Sequence, residues 1–223
     1  HGSKNTYKER HMSPLISGIA ASCALLVLTS VAPEGKSVVR TLNDAERASM
    51  HNVTWRPGCP VPLEALRHVE VPYNAPDKKT LRGGLVVHED VAHDIAAIFD
   101  ELYRLGFIIE DIAPALTKHG KDDALMRSNV TSAFNCRKVT GGRSYSRHSF
   151  GRAVDINPLW NPYIKGKTVL PKEAPAFAKP PRETDRPGII HAASPVVALF
   201  KKYGWTWGGN WRRVKDFQHF EKR

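Results

Sequence analysis

Hydrophobic and polar residues follow a helical period over residues 89–106, E-D-V-A-H-D-I-A-A-I-F-D-E-L-Y-R-L-G. Apolar side chains recur there every three or four positions, which predicts an amphipathic helix with one buried face. Glu89 and Asp90 suit its N-terminus through the helix dipole, and Gly106 suits its C-terminal end. The apolar positions of this predicted face are Val91, Ile95, Ile98, Phe99, Leu102 and Leu105.

A second helix is predicted over residues 194–204, S-P-V-V-A-L-F-K-K-Y-G. Ser194 is a favourable N-cap, Pro195 suits the first helical position, and Gly204 suits the end of the helix. Three further apolar runs in the body of the chain are short. These runs predict strands at residues 85–87, 153–156 and 205–211.

Turn-forming residues dominate the chain over residues 34–83, as in W-R-P-G-C-P-V-P and Y-N-A-P-D-K-K. They predict irregular structure that wraps the core. The proline-rich residues 172–188 predict a long surface loop, a kind of segment that is often functional. Helices and short strands without regular βαβ alternation favour the α+β class.

The N-terminal residues are predicted to lie outside the functional domain. Residues 1–13 contain H-G-S and H-M, which resemble a tag remnant and a cloning junction before the native start. Residues 14–33 are uncharged and long enough for an export or anchor segment, although a buried helix is the alternative. We expect residues 34–52 to be a linker and residues 53–223 to form the functional domain.

Composition and charge narrow the possible partners. Hydrophobic residues make up 41% and charged residues 25% of the chain, which is typical of a globular protein. The formal net charge of +11 and the pI near 9.7 indicate an anionic partner or surface. Nucleic acid, anionic lipid and an acidic cell-wall polymer all fit this charge, but no recognised nucleic-acid-binding motif is present.

Three cysteines are present, and one of them, Cys23, lies in the apolar segment. The other two, Cys59 and Cys136, lack the C-x-x-C spacing of a zinc or redox site. A disulfide between them and two buried thiols are both open, because the sequence does not show whether their Cα atoms come within bonding range.

The stretch S-R-H-S-F-G-R-A-V-D, residues 146–155, brings a histidine and an aspartate close together in sequence. In an extended chain His148 and Asp155 would lie about 23 Å apart, too far to share an ion. The chain must therefore turn between them, and Gly151 permits the backbone conformation that such a turn requires. In the strand that follows, Asp155 would point away from the core.

A third ligand is available near the C-terminus, in G-G-N-W-R-R-V-K-D-F-Q-H-F-E. His219, together with His148 and Asp155, makes a set of two histidines and one carboxylate, which suits zinc with a fourth position open for water. Asp216, three residues before His219, is close enough to take a proton from that water. The pattern predicts a Zn2+-dependent hydrolase of amide bonds, although one histidine near one aspartate is common without a metal.

Residues 146–155 also match the S-x-H-x-x-G-x-A-x-D signature of the D-alanyl-D-alanine carboxypeptidase and L-alanyl-D-glutamate endopeptidase family of zinc peptidases. The likeness continues through W-R-P-G-C-P-V, G-G-L-V-V-H-E-D-V, S-A-F-N-C-R, D-I-N-P-L-W-N-P-Y and Y-G-W-T-W-G-G-N-W. Over residues 53–221 the chain resembles the VanY-like branch that contains phage endolysins and bacterial cell-wall endopeptidases. The resemblance implies a small antiparallel sheet flanked by helices, as in the Hedgehog and LAS zinc-peptidase folds.

Residue by residue, the resemblance implies that His148, Asp155 and His219 are the zinc ligands. It gives Asp216 the role of catalytic base, and it makes Arg137 of F-N-C-R a residue that binds the substrate or the developing oxyanion. Ser146 belongs to the signature, and its hydroxyl is expected to bind the substrate or to fix the loop of His148, not to act as a nucleophile.

The resemblance further implies a secreted or membrane-tethered, monomeric enzyme that cuts the stem peptides of peptidoglycan. Aspartate at position 216, where carboxypeptidase branches typically have glutamate, favours cleavage between L-alanine and D-glutamate. A D-alanyl-D-alanine carboxypeptidase on the same scaffold is the alternative. A zinc-containing binding module, similar to Hedgehog signalling domains, is the alternative of another class. The anionic cell wall would be the partner of the basic surface.

Overall fold

A computed structural model of the protein describes residues 1–2, 35–139, 142–179 and 186–223. The predicted apolar segment 14–33 lies outside these ranges, as does all but the first two residues of the segment predicted as a tag remnant. The described residues from 35 onward fold as one compact unit. No helix among the described residues is long and apolar enough to cross a membrane.

The predicted amphipathic helix is present as α2 (Glu89–Arg104). The His88 side chain accepts a hydrogen bond from Asp90 N (3.2 Å), which satisfies one of the N–H groups left without a partner at a helix start. Leu105 lies just beyond the helix and is 53% exposed, so the buried face is one residue shorter than predicted. That face consists of Val91, Ala92, Ile95, Ile98, Phe99 and Leu102.

A three-stranded antiparallel sheet packs on this face of α2. Its strands, in spatial order, are β1 (Val38–Thr41), β2 (Leu66–Asn74) and β3 (Thr80–His88). The pairing of β2 with β3 runs without interruption from Leu66 opposite His88 to Asn74 opposite Thr80. The residues that this hairpin buries against α2 are Val69, Val71, Leu85 and Val87.

The structure differs here from the irregular segment predicted for residues 34–83 and from the linker predicted for residues 34–52. Strand β1 pairs with β2, and a helix, α1 (Asp44–Met50), follows it, so both belong to the folded unit. The charged residues and the proline of β2 obscured the strand in the sequence. The structure accommodates Pro72 because β1 pairs only with Arg67–Glu70, so β2 has one neighbouring strand instead of two at the proline.

The second predicted helix is present as α5 (Pro195–Lys202). Ser194 occupies the N-cap position, but its hydroxyl accepts a hydrogen bond from His191 N (2.9 Å) and makes no bond to the helix. The helix packs its apolar face on the same core as α2. Phe200 stacks on Phe220 there, with ring centroids 4.0 Å apart.

Several short elements complete the described part of the chain and give it the predicted α+β class. One antiparallel sheet has the order β6 (Ala153–Asp155), β11 (His219–Glu221), β9 (Thr206–Trp207). Another has the order β10 (Lys215–Asp216), β7 (Tyr163–Lys165), β8 (Thr168–Leu170). The remaining elements are the parallel pair β4 (Asp111–Ile112) and β5 (Val130–Thr131), and the helices α3 (Asp122–Arg127) and α4 (Pro175–Ala178).

The two cysteines of the folded unit form a disulfide, which decides between the two possibilities left open by the sequence. Cys59 and Cys136 have Cα atoms 6.0 Å apart and are separated by 77 positions along the chain. Cys136 N also donates to Thr54 O (2.9 Å), and Cys136 O accepts from Arg56 Nη2 (2.6 Å). The disulfide therefore joins the segment that precedes β2 to the segment that precedes the turn of His148.

Replacing both Cys59 and Cys136 with alanine is expected to lower the free energy of unfolding by about 4 kcal/mol, because the unfolded chain regains the entropy that the cross-link removes. Urea denaturation of the oxidised wild type and of the variant measures the difference. The reduced wild type is the control and should unfold close to the variant. Equal stability of all three samples would contradict the expectation.

The start of α1 carries a charged hydrogen-bond network. Asn43 Oδ1 accepts from Glu46 N (2.8 Å), and the Glu46 carboxylate accepts from Asn43 N (2.9 Å), which together form a capping box. Both oxygens of Glu46 also accept from Arg40 of β1 at 2.7 Å, and His68 Nδ1 lies 2.7 Å from Oε1. The hydrogen bonds from Arg40 lower the pKa of Glu46 to about 2.

The Glu46→Gln variant should be less stable than the wild type by about 1 kcal/mol at pH 7, the scale of a partly exposed ion pair. The amide oxygen of glutamine can keep the capping box, so the variant removes the charge and one of the two acceptors of Arg40. Because the pKa of Glu46 is lowered by folding, its stabilisation is complete above about pH 5 and is lost as the pH falls toward 2. Urea denaturation at pH 7 and pH 3 should therefore show a smaller difference at pH 3. A difference that stays constant or grows would exclude this origin.

Candidate metal centre

The turn that carries His148 bends at Gly151, as the sequence requires. Residues Arg147–Phe150 form a short 3-10 helix, and Gly151 then adopts a left-handed conformation with φ of +64°. Gly151 O accepts a hydrogen bond from His88 N (2.9 Å). A Cβ atom at Gly151 would lie 2.5 Å from that nitrogen, so a side chain is excluded by space as well as by backbone conformation.

Strand pairing brings the other two candidate ligands to this turn. β6 begins two residues after Gly151 and ends at Asp155, and β11 pairs with it antiparallel so that His219 lies directly opposite Asp155. Side chains of directly opposed residues lie on the same face of a sheet. Phe220 points to the other face, where it is fully buried in the core.

The three candidate ligands converge on one point. Asp155 Oδ2 lies 3.1 Å from His148 Nε2, and Asp155 Oδ1 lies 2.9 Å from His219 Nδ1. The two ring nitrogens are 3.3 Å apart, and both histidines are buried. One ligand atom from each residue lies within 4.8 Å of the other two. Tetrahedral zinc with ligand bonds of about 2.0–2.1 Å places its ligand atoms about 3.3 Å apart, so this donor set could hold Zn2+.

Hydrogen bonds on the far side of each ring orient the two histidines. His148 Nδ1 donates to Ala133 O (2.6 Å), and His219 Nε2 donates to Glu221 Oε2 (3.3 Å). We assign these tautomers because a carbonyl or carboxylate oxygen accepts. In the neutral tautomers that metal binding requires, the nitrogens that face Asp155 would carry the lone pairs, and such outer hydrogen bonds are typical of metal-bound histidine.

The electrostatics of the centre favour a positive charge. Burial alone would lower the pKa of His219, but the carboxylates of Asp155 and Glu221 outweigh burial and raise that pKa to about 10. Burial alone would raise the pKa of Asp155, yet positive charge at His148 and hydrogen bonds from both rings hold it well below its usual range. The hydrogen bond from His219 likewise lowers the pKa of Glu221.

Asp216 reaches the same cleft from a different sheet. It lies in β10, opposite Tyr163 of β7, and its Oδ1 is buried without a hydrogen-bond partner among the described residues. Burial raises the pKa of Asp216 to about 7, although the positive charge of His219 opposes the shift. The neighbouring 3-10 turn approaches closely because Gly208 has no side chain: a Cβ atom there would lie 2.7 Å from Asp216 O.

The structure also brings Arg137 and Ser146 to the cleft, which has a volume of about 720 Å³. Ser146 is the N-cap of the His148 turn, and its Oγ accepts a hydrogen bond from His148 N (3.3 Å). This contact fits the expected role of fixing the loop. Arg137 Nε is in ion-pair contact with Asp122, a residue that sequence reasoning did not select because α3 has no motif of its own.

Aromatic residues near the C-terminus divide between the core and the cleft. Trp205 and Trp207 are buried in the core, and Trp207 Nε1 donates to Phe217 O (2.9 Å). Trp211 lines the cleft, with its ring centroid 5.4 Å from that of His219. The strand predicted over residues 205–211 is therefore limited to β9, and the chain turns beyond it to form the cleft wall.

Glu221→Gln should weaken zinc binding about 10-fold, because it removes the negative charge that polarises His219. His148→Ala, which removes a proposed ligand, should abolish tight binding. Competition titration with a chromophoric chelator measures both affinities. Thermal unfolding of the metal-free proteins is the control for folding. Unchanged zinc affinity in the correctly folded His148→Ala variant would contradict the ligand set.

Comparison with known proteins bears on the region that carries this centre. Residues 140–222 match a protein family described as D-alanyl-D-alanine carboxypeptidase. No curated protein and no solved structure matches the chain. The matched region contains His148, Asp155, Asp216 and His219, whereas Arg137 lies just before it. The match confirms, for the region that carries the candidate centre, the resemblance to the VanY-like zinc peptidases that the motifs indicated.

Proposed function

We propose that the protein is a zinc-dependent peptidoglycan hydrolase that cleaves stem peptides at the bond between L-alanine and D-glutamate. The observation that carries the proposal is the convergence of His148, Asp155 and His219 beside a buried carboxylate, Asp216, in one cleft. All four residues come from one chain, and we propose that the enzyme acts as a monomer. We also propose that the fold is that of the Hedgehog and LAS zinc peptidases.

In this mechanism His148, Asp155 and His219 would hold the metal. Zinc bound there would supply Lewis acidity, which activates water near neutral pH and polarises the scissile carbonyl. The carboxylate of Asp216 accepts the proton of the attacking water as the new C–O bond forms. It then delivers this proton to the leaving nitrogen as the C–N bond breaks, so that the carboxylate is regenerated.

Arg137 and Ser146 act on the substrate in this proposal. The guanidinium of Arg137, which lines the cleft, stabilises the negative charge that develops on the carbonyl oxygen. The Ser146 hydroxyl accepts a hydrogen bond from His148 N, and its O–H can donate a hydrogen bond to an acceptor on the substrate.

Charge and redox state support an extracytoplasmic site of action. The formal net charge of +11 suits a substrate that carries carboxylates and lies in an anionic wall. The Cys59–Cys136 disulfide is typical of oxidising compartments outside the cytoplasm. The predicted membrane tether is not needed for the chemistry, since the proposed site residues all lie between 137 and 219.

A D-alanyl-D-alanine carboxypeptidase is the second candidate, favoured by the description of the matching family. The same ligands and the same base would serve it, since both reactions hydrolyse an amide bond. The aspartate at position 216 favours the endopeptidase, as the carboxypeptidase branches typically have glutamate there. The two candidates differ in the peptide that is released.

Purified cell walls digested with the wild-type protein should release peptides cut between L-alanine and D-glutamate, identified by mass spectrometry. A chelator should abolish the release, and added zinc should restore it. Release of single D-alanine residues would replace the endopeptidase with the carboxypeptidase. Digestion that persists in the chelator, or no digestion with zinc restored, would overturn the proposed function.

Asp216→Ala should retain zinc but lose about 10²–10⁴-fold in turnover, the contribution of a general base. Asp44→Ala, a change at an exposed carboxylate of α1, is the matched control and should leave turnover unaltered. Zinc content by atomic emission and initial rates on soluble muropeptides measure the two effects. Full biological activity of the zinc-loaded Asp216→Ala protein would favour the non-catalytic binding module instead.

A further inference from the structure

The backbone of Arg137 is fixed to the turn that carries His148. Ser149 Oγ accepts from Arg137 N (2.8 Å) and donates to Arg137 O (2.7 Å), and Ser146 N donates to the same carbonyl (3.0 Å). The preceding residue, Cys136, is joined by its disulfide to Cys59 in the segment before β2. The point from which the arginine side chain starts is thus held relative to the candidate metal ligands.

The guanidinium of Arg137 is held separately, by Asp122 of α3. Arg137 Nε is in ion-pair contact with Asp122 Oδ2, although the geometry is not that of a regular hydrogen bond. The side chains are 27% and 28% exposed, and both line the cleft. Nη1 donates to Lys138 O (3.3 Å), and no acceptor for Nη2 is present among the described residues. One part of the guanidinium is therefore held, and donors are left for a ligand.

Asp122 is itself held in place by a buried amide. Asn135 Nδ2 donates to Asp122 Oδ1 (2.8 Å) and to Gly120 O (2.9 Å), and Asn135 is 5% exposed. Each oxygen of Asp122 thus has its own partner, Asn135 on one side and Arg137 on the other. Asn135 lies two residues before Arg137, and both side chains contact Asp122. Asp122 lies in α3, so the position of this helix and the position of the guanidinium are linked.

We propose that Asp122, supported by Asn135, is a positioning residue that holds the Arg137 guanidinium ready for the carbonyl or carboxylate oxygen of the substrate. The inference rests on the proposed function, in which Arg137 contacts the substrate. A free arginine side chain has many rotamers, and ordering it during the reaction would raise the barrier. The ion pair orders the guanidinium beforehand, and a preorganised donor needs no rearrangement when charge develops.

Two other roles for Asp122 give different expectations. An acidic residue in the first turn of α3 can stabilise the helix, and then its loss would lower stability and leave activity per folded molecule intact. A carboxylate that competes with the substrate for Arg137 would act as an inhibitor, and its loss would increase activity. Positioning is the role in which activity falls while stability and zinc content stay unchanged.

Asp122→Asn is the informative variant, because the amide keeps the size of the side chain and the acceptor for Asn135 but removes the charge that pairs with Arg137. We expect kcat/KM on soluble muropeptides to fall about 10- to 100-fold, the scale of a misplaced catalytic group. Asp44→Asn is the matched control: it makes the same charge change in the first turn of a helix, α1, at an exposed side chain that does not line the cleft. The control should change kcat/KM less than about twofold.

A double-mutant cycle tests whether Asp122 acts through Arg137. In an Arg137→Ala background, Asp122→Asn should cause less than about a twofold further loss, because the guanidinium that it positions is gone. Arg137→Lys is the second background, should the alanine variant not fold. An equal loss in the wild type and in the Arg137→Ala background, an equal loss in Asp44→Asn, or a gain of activity would each overturn the inference.

A readout without substrate separates this inference from the proposed function. In protein labelled with ¹⁵N-arginine, the Nε–H signal of Arg137, assigned by its absence in Arg137→Ala, should be protected from exchange with water. The protection should be lost in Asp122→Asn and kept in Asp44→Asn. Failure of the wild type to digest cell walls would refute the proposed function, whereas an active wild type with an Asp122→Asn variant of equal activity and exchange would refute only the positioning role.

Discussion

The pairing of β6 with β11 is the constraint on which the candidate site depends. It places His219 opposite Asp155 and directs Phe220 into the core, where it stacks on Phe200 of α5. A register shift of one residue would exchange these faces, directing the histidine into the apolar core and the phenylalanine into the cleft. The burial of Phe220 therefore stabilises the one register that also assembles the candidate ligands. Core packing and the candidate metal site are specified by the same three-residue strand.

A second constraint ties the cleft to parts of the chain that are distant in sequence. The segment from Asn135 to Arg137 contacts α3, the disulfide and the turn of His148 within three consecutive residues. Ala133 O, two residues earlier, accepts from the ring of His148. This stretch thus orients a proposed ligand and a proposed substrate-binding residue together. The β1–β2–β3 sheet and α2 supply the rigid body on which this stretch rests, since Phe134 N donates to Val86 O of β3.

The sequence was informative where a local pattern is sufficient. Helices α2 and α5 follow from the spacing of apolar residues, and the bend near Gly151 follows from the distance that His148 and Asp155 must close. The strand predicted at residues 85–87 lies within β3. Strand β2, the first part of β3 and their pairing were missed because the stabilisation of the hairpin is not local: it comes from burial against α2 and from pairing along nine residues of each strand. Tertiary contacts outweigh turn-like composition there.

The candidate site was also predicted from the sequence only in part. His148, Asp155 and His219 were found from residue type and motif, but no pattern in strands of three residues predicts that His219 pairs with Asp155. The outer hydrogen bond from His148 to a backbone carbonyl leaves no trace in residue type. The contact of Arg137 with Asp122 joins residues 15 positions apart through a short helix without a motif. Such contacts depend on the packed structure and not on the local sequence.

Two sheets contribute to the cleft, and the chain passes from one to the other through two residues, Phe217 and Gln218. The candidate ligands Asp155 and His219 lie in the β6–β11–β9 sheet, whereas the candidate base Asp216 lies in the β10–β7–β8 sheet. Between them, Phe217 N donates to Pro162 O (3.3 Å) and Gln218 O accepts from Ile156 N (3.0 Å), so backbone hydrogen bonds anchor the connection to both sides. Tyr163 and Leu170 of the β7–β8 hairpin line the same cleft. A change in that hairpin would therefore alter the wall of the cleft while leaving the β6–β11 pairing, which holds the candidate ligands, in place.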